Sequence, residues 1–239
     1  MEFKYLLLFA LLAIPIASAA DGQISDIRGK AYGFHNDCMS SIDKEGQNRS
    51  DINKSQLQNC RFGAGKIVAE ARVDKLERQV SSYQDKIDKF ADSGLDISAL
   101  QSVVDGAKTQ VIDPLKAAIN SATDFASLKA ALKGYCLFDG CKDGANYHLE
   151  AKFEVQRLFA VLDNLENKTN VSTAKIAEAK GYLNNAQDVL DEVGTSQYTK
   201  DQKQTISSNV KSAVKAIRDI NKGLPKDNKI RPVPKGRMK

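Results

Sequence analysis

Apolar side chains recur through most of this chain at alternating steps of four and three residues, the spacing that keeps them on one stripe of an α-helix. The longest run is Ala69, Val73, Leu76, Val80, Tyr83, Ile87 and Phe90, with Lys75, Glu77, Arg78, Gln79, Asp85, Lys86 and Asp88 between its members. It predicts one helix over 55–93 with a buried face and a solvated face. At 1.5 Å per residue that helix is about 60 Å long.

Gly94 stops it, and Asp96 or Ser98 caps the next helix. That helix, over 98–122, sets Leu100, Val104, Ala107, Val111, Leu115 and Ala118 on one stripe. Asp113-Pro114 inside it predicts a kink or a fresh helix start, because proline lacks the N–H that the preceding turn needs. A short helix follows over 124–133 and ends at Gly134.

After a loop at 135–145 the pattern restarts. Leu149, Phe153, Val155, Leu158, Leu162 and Leu165 predict one helix. Ile176, Ala179, Leu183, Ala186, Leu190 and Val193 predict a second, closed by Gly194. Ile206, Val210, Ala213, Ile217 and Ile220 predict a third, started near Thr199. Upstream, Ile24, Ile27, Ala31, Phe34, Cys38 and Ile42 predict a helix over 23–45, although Gly29 and Gly33 weaken it.

The fold class is therefore all-α: an elongated antiparallel helical bundle with coiled-coil-like hairpins, in two halves of similar plan. An N-terminal unit covers 21–134 and a C-terminal three-helix unit covers 146–221. The apolar stripes serve first as seams inside the bundle. Where the long helix outruns its shorter neighbours, its apolar end calls for a protein partner or a second copy of the chain.

Residues 1–20 break the periodicity. One early lysine, Lys4, precedes an uncharged run from Tyr5 to Ile16, and Pro15 leads into a small-residue stretch. Ala17 and Ala19, or Ser18 and Ala20, supply the small side chains that a signal peptidase requires. The run is too short to span a hydrocarbon core of ~30 Å comfortably, so it reads as a cleavable signal rather than an anchor. No later stretch predicts a transmembrane segment. The chain is expected to be secreted or otherwise extracytoplasmic.

The cysteines and sequons fit that address. Cys38, Cys60, Cys136 and Cys141 form an even set suited to an oxidising compartment. Cys38 and Cys60 lie at matching distances either side of the loop 45–54, so an antiparallel hairpin brings them face to face. Of the three possible connectivities this one is favoured, with Cys136 and Cys141 pairing across a small loop. A bridge closing some twenty residues contributes about 3 kcal/mol in the loop-entropy picture. The sequon asparagines Asn48, Asn53, Asn167 and Asn170 all fall in predicted loops, where a glycan can attach.

Composition changes the picture little. About 219 residues remain after cleavage, rich in Ala, Lys, Asp, Gln, Leu and Ser, with no tryptophan. Of the formal net charge of +5, the tail 222–239 carries +6 and the remainder −1. A basic disordered tail, not a shaped patch, argues against nucleic-acid binding and allows contact with anionic polymer or lipid headgroups.

Candidate chemistry is sparse. Asp139, Asp143 and Glu150 stand at positions one, five and twelve of an EF-hand-like calcium loop over 139–150, with Gly144 at position six. Cys141 at position three departs from that pattern. A zinc set of Cys136, Cys141, His148 and His35 matches no familiar spacing. Both histidines read instead as surface residues. Gly63-Ala64-Gly65-Lys66 lacks the spacing and the preceding strand of a phosphate loop. No catalytic constellation stands out, and no cofactor is called for beyond the calcium reading. The expectation is a non-enzymatic structural or interaction protein of the cell envelope or extracellular space. A holdase-type envelope chaperone and a calcium-binding helical protein are the alternatives.

Overall fold

The computed structural model describes residues 17–44, 54–135, 137, 144–168 and 171–225. All the regular structure among them is helical: α1 (Ala17–Lys44), α2 (Lys54–Asp92), α3 (Ser98–Gly106), a π-helical turn (Ala107–Ile112), α4 (Asp113–Ser121), α5 (Phe125–Lys133), α6 (Gly144–Glu166), α7 (Thr173–Val193) and α8 (Lys200–Gly223). No helix among the described residues is long and apolar enough to cross a membrane. The helix α1 takes in 17–20, which the sequence assigns to the signal. Alanine is the strongest helix former, so this small-residue stretch extends the helix readily.

Burial follows the predicted stripe most closely in α2, whereas Phe34 of the α1 stripe is 42% exposed. In α2, Ala69, Val73, Leu76, Val80, Tyr83, Ile87 and Phe90 are all buried. The helix ends in a Schellman arrangement, with the Gly94 N–H on the Ala91 carbonyl at 2.9 Å and the Leu95 N–H on Phe90 at 3.2 Å. Ser98 N–H then donates to the Asp96 carboxylate at 2.9 Å, and that bond holds the Asp96 carboxyl below its usual range. Thr199 and Gln202 close a reciprocal capping box at the start of α8.

Among the described residues the chain forms two compact units, the first of residues up to Ala71 together with Thr123–Phe125, the second of Arg72–Ala122 together with the residues from Ala126 onward. Contacts between residues far apart in the sequence hold the second unit together. In the second unit Tyr83 stacks on Phe153 with ring centroids 4.1 Å apart, and Gln79 Nε2 donates to the Asn146 carbonyl at 3.3 Å. The later half of α2 therefore belongs with α6.

In the first unit, Cys38 of α1 and Cys60 of α2 form a disulfide with their Cα atoms 5.7 Å apart. The bridge spans 22 residues, which contributes about 3 kcal/mol in the loop-entropy picture. Nearby, the Phe34 ring lies where a side chain at Gly63 would stand: a Cβ there would overlap the ring edge. Gly63 is thus a notch that lets α1 approach α2. The stretch Gly63–Lys66 lies within a helix and forms no loop.

In the second unit, α6 and α7 run antiparallel in a single register. Lys152 reaches Asp191 at 3.3 Å, Gln156 reaches Gln187 at 3.0 Å and Asp163 reaches Lys180 at 2.9 Å. Leu158, Leu162 and Leu165 of α6, Ile176, Leu183 and Leu190 of α7, and Ile206 and Ala213 of α8 make one continuous core.

The segment 98–121 departs from the expected stripe. Leu100, Val104, Ala107 and Leu115 are buried as predicted, but beyond the turn Ile112 and Ile119 are buried as well, where Val111 and Ala118 were expected. Val111 and Ala118 are only half-buried. The reason is the π turn. The Asp113 N–H reaches back five residues to the Lys108 carbonyl instead of four. Pro114 has no N–H to return to the turn before it, and the wider turn accommodates its ring without breaking the helix. One extra residue in the turn rotates everything after it, so the buried face steps from 111 and 118 to 112 and 119.

Candidate functional site

The widened turn forms one wall of a cleft of about 650 Å³ in the second unit. Ala99, Val103 and Gly106 of α3 and Ala107, Gln110 and Val111 of the π turn line that side. His148, Leu149, Lys152 and Gln156 line the other, all from α6. These four recur at steps of one, three and four residues, so they share one helix face. Gly194 and Thr195, just past the end of α7, complete the rim.

Gly194 has φ 59 and ψ −135, a backbone region open in practice only to glycine. The turn it makes carries Tyr198 into the core, where the residue is 3% exposed. Tyr198 donates its hydroxyl hydrogen to the Gly194 carbonyl at 2.8 Å. His148 Nδ1 lies 2.8 Å from the same hydroxyl oxygen. The phenol has a single proton and has given it to Gly194, so Nδ1–H of His148 is the donor in that contact. Tyr147 adds an edge contact to Tyr198 at 4.9 Å between centroids, and Lys203 stands over the Tyr147 ring at 5.3 Å.

This relay fixes both the ring orientation and the tautomer of His148. Burial, and secondly the positive charge of Lys152, lower the pKa of the imidazole, against a weaker opposite pull from Asp191. Burial also pushes the Tyr198 phenol upward. For Asp191 burial acts upward as well, but the hydrogen bond from Gln187 and the charge of Lys152 outweigh it, and its pKa is lowered. The site thus holds a neutral imidazole beside a compensated Lys152–Asp191 pair. Nε2 of His148 has no hydrogen-bond partner among the described residues.

His148 is a half-buried member of this network, not the surface residue that the sequence predicts. Its place at the start of a helix implied exposure, but the turn at Gly194 folds Tyr198 over it. Nothing local in the sequence announces a partner 50 residues away.

Of the other candidates, Cys38 and Cys60 are joined. Cys136, Cys141, Asp139, Asp143, Asn48, Asn53 and Asn170 lie outside the described residues. Asn167 is exposed in the turn after α6, a position open to a glycan. Glu150 lies in α6 on an exposed position, and its charge, with the stronger effect of Glu154, acts on Lys86. Burial is the larger influence on that lysine and lowers its pKa. No group of three or more His, Cys, Asp or Glu side chains among the described residues is placed to hold a metal ion.

The first unit offers a different surface. Tyr32 is 69% exposed and Phe34 42% exposed, the large hydrophobic side chains left open to solvent among the described residues. Tyr32 borders an open groove of about 390 Å³ with Ala31, His35, Ala64 and Val68. Comparison of the chain with protein families, with characterised proteins and with solved structures finds no match.

Proposed function

We propose that this chain is an exported, non-enzymatic interaction protein of the cell envelope or extracellular space, an antiparallel helical bundle that engages a protein partner through its first unit. The observation that carries this reading is the exposed Tyr32 beside the groove between α1 and α2. An aromatic ring at the edge of an apolar groove is the composition of an interface anchor, because it buries a large area with few rotors to fix. The Cys38–Cys60 bridge supports the same reading, since it fixes the two helices that form the groove and belongs in an oxidising compartment. The basic tail 222–239, with its charge of +6, adds weak attraction to anionic polymer or lipid headgroups.

The test uses the full mature chain and its Tyr32→Asp variant as baits for the extracytoplasmic fraction of the native source, both first shown to melt alike. A defined protein recovered by the wild type and lost with Tyr32→Asp supports the proposal. Equal recovery by both, or none by either, contradicts it. The holdase alternative applies if a stoichiometric amount of the chain keeps unfolded citrate synthase from aggregating.

A further inference from the structure

We infer that the cleft between the π turn and α6 is a binding site for an uncharged, largely apolar small molecule bearing one hydrogen-bond donor, which Nε2 of His148 accepts. The site lies in the second unit and owes nothing to the groove at Tyr32.

Three features of the cleft converge on that class of ligand. Its volume of about 650 Å³ falls within the range of small-molecule sites, and its walls are mainly aliphatic, from Val103, Ala107, Val111 and Leu149. Its one cation, Lys152, is met by Asp191 at 3.3 Å, so a charged ligand would find no unbalanced partner there. Among its polar lining residues His148 is held by a relay, with Nδ1–H committed to Tyr198 and Nε2 without a hydrogen-bond partner among the described residues. A histidine held in one tautomer at the wall of an apolar cleft accepts a hydroxyl or N–H of a ligand in a set direction.

The helix wall agrees. Gly106 sits in a helical conformation with φ −61, and a Cβ there would meet only Gln110 Oε1, at 3.9 Å. Neither backbone angle nor close contact among the described residues requires glycine at this position, yet glycine in a helix interior is less stable than alanine. Its missing side chain widens the cleft beside the π turn, itself a feature found frequently at functional sites.

The probe is N-phenyl-α-naphthylamine, which is uncharged, apolar and carries a single N–H, titrated by fluorescence into the full mature chain with its disulfide intact. Its N-methyl derivative removes only the donor. The wild type is expected to bind the probe saturably at one site per chain, and the N-methyl derivative about fivefold more weakly. In His148→Phe the two probes should bind alike. Gly106→Phe fills the cleft from a position with open space, and should abolish binding while the melting temperature holds. Ser102→Trp, from the exposed rim, should do the same. Binding that survives both filling variants, equal affinity of the two probes for the wild type, or no saturable binding overturns the inference.

Discussion

The imidazole of His148 sits half-buried between Lys152 on its own helix, Asp191 on α7 and the Tyr198 hydroxyl, and its titration is coupled to the stability of the second unit. Its folded pKa lies below the ordinary value of about 6.5, so the unfolded chain takes up a proton first as pH falls. Stability present above that value is therefore lost on acidification. The urea midpoint should fall between about pH 7.5 and 5.5, and fall less in His148→Gln, because neither Lys152 nor Asp191 changes charge in that window. An unchanged slope in the variant would show that His148 is not the group responsible. At this scale the sequence discloses little. His148 and Lys152 share a face by spacing alone, whereas Tyr198 and the Gly194 carbonyl reach the ring only through the turn after α7.

Among the elements, the π turn at Ala107–Ile112 decides which residues of α4 face the core. Ile112 is 3% exposed and Val111 half-buried at the cleft wall, so truncating the two should have different effects. Ile112→Ala should cost about 2–4 kcal/mol in urea unfolding, and Val111→Ala under about 1 kcal/mol. The reverse order would mean that the helix continues in plain α register. The helices themselves are legible in the sequence because burial follows the four-and-three spacing, residue for residue in α2. The turn also leaves a trace there: the step from Ala107 to Ile112 is five residues, with Pro114 just beyond. A strict search for steps of three and four reads past that gap and assigns Val111 and Ala118 to the core.

For the molecule as a whole, the two units have different bases of order. The second is held by an aliphatic core shared by α6, α7 and α8, and the first by a short α1–α2 approach at Gly63 and one disulfide. The Cys38–Cys60 pairing was legible because two cysteines equidistant from a turn meet in any antiparallel hairpin. The stacking of Tyr83 on Phe153 was not, since it joins residues far apart in the chain. Export underlies the proposed role, and the most direct measurement of it is peptide mass mapping of the native protein without reduction. The account predicts a mature N-terminus just after Ala19 or Ala20 and a cross-linked peptide pair containing Cys38 and Cys60. A chain that still begins at Met1 with its cysteines as free thiols would contradict it.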